Sequence, residues 1–205
     1  MHWPTPFRQQ NEHFFPLDSD GKCFEDQDID IRDVWREFAE IKAKGLVRSI
    51  GVSNFNARQL EAIIADTGVP PSVNQVESHP FLANEKLRQF CADKGVQLVA
   101  YCPLARVGRS GDESPLAHPL IRSLAAKHAT TSAAVCLRWQ TQRGVLVIPK
   151  SDSRQRMAEN LRILDFELSA DEMSEILSLD RGLRLVRHDK YGVSAHREWP
   201  FADPF

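Results

Sequence analysis

The stretch VLVIPKSDSRQRMAEN, residues 145–160, decides how this chain is interpreted. Its first four residues form an apolar, β-branched run that predicts a buried strand, and Pro149 ends that strand. A lysine, hydroxyl side chains and an arginine follow, and Ser153 is well placed as the N-cap of a helix holding Met157 and Leu161. Basic and hydroxyl groups between a strand end and a helix N-terminus favour a bound phosphate. The alternative is an ordinary strand–helix turn with solvated basic residues.

The composition is that of an ordinary globular protein with one substantial core. The chain has 205 residues, of which 42% are hydrophobic and 26% charged. Its net charge of −2, with both signs interspersed, indicates neither a nucleic-acid nor a membrane partner. No apolar run approaches the roughly 20 residues that span a bilayer, and the N-terminus does not begin a secretory signal. We therefore expect a cytoplasmic protein whose four scattered cysteines are free thiols, without a metal site.

Strand and helix patterns alternate along the chain. Strands are predicted at 47–53, 73–77, 96–101 and 145–148, each followed by an apolar pattern of helical period. Ser169 and Glu172 form a capping box for one more helix. Helices are predicted near 31–44, after Asn56, after Asn84, at 119–128, at 131–143, after Ser153 and after Ser169, whereas residues 5–28 and 181–205 are predicted to be irregular.

This alternation is typical of βα units around a parallel sheet. An open doubly wound sheet and a (β/α)8 barrel are the two candidate architectures. An open nucleotide-binding sheet places a glycine-rich turn after its first strand, and no G-x-G-x-x-G occurs here. Polar residues instead follow nearly every predicted strand, as in a barrel whose site is built from strand ends. The sequence therefore favours the α/β class and a (β/α)8 TIM barrel.

Four motifs, in chain order, carry a resemblance to a known family: GVSNF at 51–55, NQVE at 74–77, LVAYCPL at 98–104 and IPKS at 148–151. They resemble the aldo-keto reductases, and MHWP at 1–4 resembles the end of that family's fourth strand. The resemblance covers essentially the whole chain. It implies an oxidoreductase on a (β/α)8 barrel that transfers a hydride from NADPH to the carbonyl of an aldehyde or ketone, giving an alcohol.

The resemblance also implies roles for single residues. His2 matches a histidine that orients the substrate carbonyl, and Trp3 is expected to line the substrate site. Tyr101 matches the aromatic residue that stacks on the nicotinamide ring. The residues implied to bind the cofactor are Ser53, Asn54 and Gln75 at the nicotinamide carboxamide, Tyr101 and Leu104, and Lys150, Ser151, Ser153, Arg156 and Asn160 at the adenosine 2′-phosphate and adenine.

The basic residues of the last motif favour NADP over NAD. Arg156 offers a planar fork to phosphate oxygens and Lys150 a point charge, whereas a ribose 2′-hydroxyl needs neither. A pocket for NAD more often carries an acid that accepts a hydrogen bond from the ribose. Asp152 is acidic, but we set its side chain aside because the family uses the backbone at this position.

Two departures from the family pattern affect the expected site. Where the family usually has Gly-Ser, this chain has Ala105-Arg106, so Arg106 and Arg109 are hypothesised to contact the cofactor phosphates. The family's catalytic Tyr, Lys and Asp precede the position of His2, where this chain starts. We therefore expect a single domain over 1–205 that is an N-terminally truncated fragment or an incomplete barrel. We also expect its rate of carbonyl reduction to be much reduced.

Three functions remain possible from the sequence. The first is an NADPH-dependent reductase with a small-molecule carbonyl substrate, and the second is a non-catalytic or regulatory NADP-binding half-barrel. The third, a barrel enzyme that binds a sugar phosphate near Lys150, leaves the matches at Asn54, Gln75 and Tyr101 unexplained. Trp199 suits either an apolar substrate wall or a clamp that anchors the tail. The sequence indicates neither the carbonyl compound nor the oligomeric state.

Overall fold

The computed structural model describes residues 1–8, 17–23, 26–106, 113–187 and 192–202. The chain groups into two compact units, which we describe separately. The single domain expected over 1–205 stays a prediction. Unit 1 comprises Met1–Gln75, Lys86–Gln97 and Val186–Phe205, and unit 2 comprises Val76–Glu85 and Leu98–Leu185.

Strands and helices alternate in the described part of the chain, as the sequence predicts. The strands are β1 (Val52–Ser53), β2 (Val73–Glu77), β3 (Gln97–Tyr101) and β4 (Leu146–Val147), in the sheet order β1-β2-β3-β4. Both β1 with β2 and β3 with β4 pair in parallel, which confirms the α/β class and matches part of a (β/α)8 barrel. The helices are α1 (Ile31–Ala43), α2 (Ala57–Thr67), α3 (Glu85–Asp93), α4 (Pro119–Lys127), α5 (Ser132–Gln142), α6 (Arg154–Leu161) and α7 (Ala170–Leu177).

Helices α1 and α2 pack together in unit 1. Asn56 caps α2 as predicted, and its side chain and that of Gln59 form a reciprocal capping box. Gly68 ends the same helix in a left-handed conformation, with φ of 68°, which glycine adopts without a steric penalty. The fully buried Trp35 of α1 donates its Nε1–H to the carbonyl of Val69 at 2.9 Å. Local capping and one buried aromatic residue thus hold this helix pair.

The first strand is much shorter than predicted. Of the predicted strand 47–53, only the last two residues pair with β2. Leu46 and Val47 are exposed, whereas Ile50 and Val52 are buried, so apolar burial begins only close to β1. Gly51 lies so close to β2 that a Cβ at its position would be 2.6 Å from Cγ2 of Val73. The lack of a side chain at Gly51 therefore permits the approach of the two strands.

The core of unit 2 lies among α4, α5 and α7. Trp139 is fully buried there and donates its Nε1–H to the carbonyl of Met173 at 3.3 Å. Ser169 and Glu172 form the predicted capping box at the start of α7, and Ile176 points inward. The buried residues of this core cluster are Ala83, Ile121, Leu124, Ala125, Val135, Cys136, Trp139, Leu168 and Ile176.

The prediction of a buried strand at 145–148 is wrong for Leu146 and Ile148. Val145 is fully buried, but Leu146 is 53% exposed and Ile148 is 48% exposed. In the described sheet β4 pairs only with β3, Val99 lying opposite Leu146, so it is an edge strand. Apolar sequence alone does not distinguish an edge strand from a central one, because the difference depends on the neighbouring strands.

Two further findings, on membrane-spanning helices and on the cysteines, concern the described residues as a set. None of their helices combines the length and the apolar character needed to cross a membrane. Cys23, Cys91, Cys102 and Cys136 are free thiols. Burial raises the pKa of Cys91 to about 11, so this thiol stays protonated at neutral pH.

Candidate functional site

The candidate residues of unit 1 lie at the end of β1 and in the middle of β2. The parallel register places Val52 opposite Asn74 and Ser53 opposite Gln75. The main-chain carbonyl of Gln75 accepts two hydrogen bonds, from Ser53 Oγ at 2.7 Å and from the backbone N–H of Asn54 at 3.0 Å. Three of the sequence-predicted residues are therefore brought together where β1 ends beside β2.

Asn54 fixes the chain where β1 ends. It is buried and adopts a left-handed backbone with φ of 62°, which asparagine tolerates better than most residues. Its Nδ2 donates to the carbonyl of His2 at 3.2 Å and to Ser53 Oγ at 3.1 Å. The N-terminal amino group of Met1 donates to the carbonyl of Gly51 at 2.8 Å. Residues 1–2 are thus held beside β1, and the His2 side chain is exposed.

Gln75 differs from Ser53 and Asn54 because its side-chain amide does not hold the strands together. It is partly exposed, and no hydrogen bond to this amide is recorded among the described residues. A carboxamide carries both donors and an acceptor, so it can pair with another carboxamide in two directions. Gln75 therefore has the free functional group that a carboxamide-binding residue needs.

An aromatic cluster in unit 1 decides between the two sequence-based hypotheses for Trp199. This residue is buried, and its ring stacks on Trp3 with centroids 6.4 Å apart and an interplanar angle of 3°. Phe201 meets both rings edge-on, at 5.9 Å from Trp3 and 5.0 Å from Trp199. Trp199 is therefore a clamp that anchors the tail, and Trp3 serves the same packing.

Tyr101 lies at the end of β3 in unit 2. Burial raises the pKa of its phenol far above the usual value, and the nearby charge of Glu77 raises it further. Since a phenol with a raised pKa is a weaker acid, Tyr101 is poorly suited to donate a proton in a reaction. An aromatic residue that remains neutral is compatible with the stacking role implied by the resemblance.

Sequence reasoning gave no role to Glu77, which is a fully buried carboxylate next to Tyr101. Its Oε1 lies 3.2 Å from His79 Nε2, and the same oxygen accepts the backbone N–H of Leu185 at 2.9 Å. His79 is also fully buried. A carboxylate two residues after Gln75 in a strand was the available signal, but its contact with Leu185 lies 108 positions away. Glu77 anchors the segment that follows α7.

Arg106 takes part in the same attachment. Its Nη1 donates to the carbonyl of Leu185 at 3.0 Å, so both backbone groups of Leu185 are held by charged side chains. The hypothesis that Arg106 contacts cofactor phosphates stays a prediction, and Arg109 lies outside the described residues. Leu104 is partly buried against the core cluster of unit 2, and its carbonyl accepts from Ser114 Oγ at 3.4 Å.

The most distinctive arrangement lies in residues 150–156, which follow β4 and include the first turn of α6 and which we call the 150–156 loop. The carboxylate of Asp152 accepts from Lys150 Nζ at 3.2 Å through one oxygen and from Arg156 Nη2 at 2.7 Å through the other. All three side chains are largely exposed. Asp152 is therefore the group on which both cations converge, and the expectation that its side chain has no part in cofactor binding stays a prediction.

The two serines of the loop shape the start of α6. Ser153 is its N-cap, as predicted, and its Oγ accepts the backbone N–H of Arg156 at 3.3 Å. Ser151 Oγ accepts the backbone N–H of Ser153 at 3.2 Å and lies 3.5 Å from Arg156 Nε. Asn160 lies in the last turn of α6, partly exposed, and no hydrogen bond to the 150–156 loop is recorded for it among the described residues.

The donor groups of this loop have the chemistry that an anion requires. Lys150 and Arg156 jointly hold one anionic group, the carboxylate of Asp152. The hydroxyl of Ser151 and the N-terminus of α6 add a polar group and a favourable helix dipole. These donor groups therefore suit a phosphate, although in this structure the two cations donate to the carboxylate of Asp152.

Comparison with known proteins gives consistent matches. Residues 1–181 match the model of the Aldo/keto reductase family. Prostaglandin-E(2) 9-reductase of Oryctolagus cuniculus is 41% identical over 212 residues, which cover 100% of this chain and 64% of that protein. Aldo-keto reductase family 1 member A1 is 37% identical over 216 residues in Bos taurus and 36% over 217 in Homo sapiens. Both matches cover 100% of this chain and 66% of the relative.

The chain thus spans 64 to 66% of the length of these curated relatives. The family match covers more than half of the chain and includes all four motifs that carry the resemblance. The parallel βα units agree with the barrel of that family. The chain belongs to the aldo/keto reductase family.

Proposed function

We propose that this chain carries the NADP-binding part of a reductase that converts the carbonyl of an aldehyde or ketone to an alcohol. The observation that carries the proposal is the convergence of Lys150 and Arg156 on one anionic group at the N-terminus of α6. Membership of the aldo/keto reductase family supports it, because both cations lie within residues 1–181, which match the family model. Together they favour an anion held at this loop over solvated basic residues.

The 150–156 loop is proposed to bind the adenosine 2′-phosphate. Arg156 would supply a fork of N–H donors and Lys150 a mobile ammonium group, each worth about 1.5–3 kcal/mol as a charge-assisted hydrogen bond. Ser151 and Ser153 are proposed as hydroxyl donors, and Asn160 as an amide at the adenine. Because NAD lacks the 2′-phosphate, these contacts would favour NADP over NAD.

Polar residues at the end of β1 and within β2, and the last residue of β3, are proposed to bind the nicotinamide end. Gln75 would pair with the carboxamide, since its own amide is not committed to other described residues. Ser53 and Asn54 would position Gln75 through its main-chain carbonyl, and they are proposed to contact the carboxamide as well. Tyr101 would cover one face of the ring, and Leu104, three residues further along the chain, is proposed to contact the cofactor.

NADPH, when bound, supplies the hydride for this chemistry. His2 is proposed to hydrogen-bond the carbonyl oxygen of the substrate, and its exposed imidazole and its main chain, held by Asn54, support that role. Trp3 is proposed to line the substrate site, since its side chain is partly exposed. The raised pKa of Tyr101 argues against that phenol as the proton donor, so the proton would come from another group.

One observation favours a second candidate, a protein that binds NADP without turnover. The tyrosine of this chain that the structure describes, Tyr101, is a weak acid because of burial and the charge of Glu77. A chain without a suitable acid near the carbonyl would bind the cofactor but transfer hydride slowly. Following NADPH oxidation with an aromatic aldehyde at saturating NADPH separates the candidates. Turnover supports the reductase, and binding without turnover supports the second candidate.

The cofactor proposal is tested by titrating the purified protein with NADPH and with NADH while following tryptophan fluorescence. We expect the double variant Lys150→Ala/Arg156→Ala to bind NADPH about 100-fold more weakly, since two charge-assisted contacts are lost. NADH affinity should change by less than about threefold, because NADH has no group for these cations. Arg162→Ala is the matched control, since it removes an exposed cation at the other end of α6. Equal losses for both cofactors would refute the proposal.

A further inference from the structure

The side chain of Asp152 has a position that neither the resemblance nor the proposed function explains. Each of its two carboxylate oxygens accepts a hydrogen bond from a different cation, Lys150 on one side and Arg156 on the other. Asp152 precedes the N-cap of α6, and Arg156, four positions later, lies in the first turn of that helix. Asp152 is therefore an internal anion placed on both cations of the proposed phosphate site.

This carboxylate is a permanent negative charge at neutral pH. The hydrogen bond from Lys150 is the largest cause that lowers the pKa of Asp152, and Arg156 lowers it further. A phosphate that reaches the same cations must displace the carboxylate or bind next to it. Displacement gives up two existing charge-assisted bonds, and binding next to it brings like charges within a few ångströms. Either way, phosphate affinity is lower than the two cations alone would provide.

A ligand with a 2′-hydroxyl in place of the phosphate is favoured by the carboxylate of Asp152 rather than disfavoured by it. A hydroxyl is neutral, so it is not repelled, and it can donate a hydrogen bond to a carboxylate. Acids hold the ribose in this way in pockets that bind NAD. The same three side chains therefore offer cations to a 2′-phosphate and an acceptor to a 2′-hydroxyl.

We infer that Asp152 is a specificity-determining residue that narrows the preference of this site for NADPH over NADH. It competes with the 2′-phosphate for Lys150 and Arg156, and it accepts a hydrogen bond from the 2′-hydroxyl of NADH. This inference rests on the proposed function, because it concerns the same cofactor site. It predicts a protein able to use both cofactors more evenly than the two cations alone would allow.

The test compares the dissociation constants of NADPH and NADH for the protein and for Asp152→Asn, which keeps the shape and removes the charge. We expect NADPH to bind about five- to tenfold more tightly to the variant, because its phosphate no longer competes with a carboxylate for the two cations. NADH should bind equally well or more weakly, so the ratio of the two constants rises. The gain for NADPH should shrink at high salt, because the competing charges are exposed.

Asp165→Asn is the matched control. Asp165 also pairs with an exposed arginine of the same unit, Arg162 at 2.8 Å, and its loss changes the net charge equally. The control should leave the ratio of the two dissociation constants unchanged. A parallel titration with 2′,5′-ADP and 5′-ADP restricts the comparison to the adenosine end of the cofactor. Only 2′,5′-ADP should gain affinity in Asp152→Asn.

The outcomes separate the inference from the proposed function. An unchanged ratio in Asp152→Asn, with Lys150→Ala/Arg156→Ala still weakening NADPH selectively, overturns the inference and leaves the function standing. A similar rise of the ratio in Asp165→Asn also overturns it, because net charge would then be the cause. If neither the protein nor Asp152→Asn binds NADPH or 2′,5′-ADP, the proposed function fails together with the inference. Thermal unfolding of each variant verifies that it is folded.

Discussion

At the scale of single residues, the charged groups of this chain have different tasks according to their burial. Glu77 is fully buried and binds the backbone of Leu185, so it organises structure. Asp152 is exposed and binds two cations that solvent and ligands can also reach. A carboxylate that binds backbone groups is costly to remove, because the buried N–H is then left without an acceptor. A carboxylate between exposed cations contributes little to stability. Its removal is therefore expected to affect ligand binding more than folding.

Glu172 is a residue whose charge should stabilise the fold in a pH-dependent way. Burial alone raises the pKa of its carboxyl, but hydrogen bonds from Lys127, the backbone of Ser169 and His128 outweigh this effect and lower it to about 2. The carboxyl titrates near 4.5 when unfolded, so its stabilisation is complete above that pH. It is lost as the pH falls toward 2, because the protonated form lacks the ionic hydrogen bonds.

We therefore predict that Glu172→Gln lowers the free energy of unfolding by about 1 kcal/mol at pH 7 and by much less near pH 2. Glutamine retains an oxygen for the Ser169 backbone but loses the charge that faces Lys127 and His128. Urea unfolding at both pH values measures the effect. Glu175→Gln, an exposed site on the same helix, should show no such difference. A deficit of the same size at both pH values would contradict the role of the charge.

At the scale of elements, the sequence predicts helix termini well and strand burial poorly. The caps of α2, α6 and α7 at Asn56, Ser153 and Ser169 need contacts only with residues three positions away, so local sequence determines them. The lengths of β1 and β4 depend on which strands lie beside them, which local sequence does not record. The same limit explains why Leu146 and Ile148 are exposed despite an apolar run.

Helix α6 differs from α4, α5 and α7 of unit 2 because it buries none of its residues. Leu161, one of the two apolar residues expected in this helix, is 82% exposed. By contrast, α5 buries six residues, including Trp139. Helix stability in proteins comes mainly from packing of the apolar face, and α6 has little of it. The element that carries Arg156 is therefore held mostly by its N-cap and its polar loop.

We predict that the backbone amides of α6 exchange with solvent at least about 100-fold faster than those of α5, because few contacts resist local opening. Hydrogen–deuterium exchange read by mass spectrometry over both helices measures this. Adding 2′,5′-ADP should slow exchange in α6 and leave α5 unchanged, whereas 5′-ADP should have a smaller effect. Exchange in α6 that is as slow as in α5 would show that contacts other than its own polar groups stabilise it.

At the scale of the whole molecule, the sequence predicted the parallel α/β class but not the links between distant segments, and its candidate site residues stay predictions. The motifs at 51–55 and 148–151 are continuous in sequence, so a single sequence is enough to find them. The contact of Glu77 with Leu185 and that of Trp3 with Trp199 join segments more than 100 positions apart. Such pairs leave no local pattern, because either residue would fit many surroundings.

Unit 1 allows a test of how much a contact between distant segments contributes to the free energy of unfolding. Trp199 packs on Trp3 and Phe201, and the neighbouring main chain accepts hydrogen bonds from α2, at Pro200 from Asn56 and at Glu198 from Gln59. The tail is thus tied to the start of α2 and to the N-terminal residues. Loss of the Trp199 ring would leave a cavity and remove most of the aromatic contact.

We predict that Trp199→Ala lowers the free energy of unfolding of unit 1 by about 3 kcal/mol, the usual cost of removing a buried tryptophan side chain. Hydrogen–deuterium exchange should rise in residues 1–8, at the start of α2 and in 192–202. Exchange in α4 and α5, in the core of unit 2, should change little. Leu161→Ala, at an exposed apolar side chain, is the control and should leave unit 1 unchanged. An equal rise of exchange in both units would mean that the clamp supports the whole chain rather than unit 1.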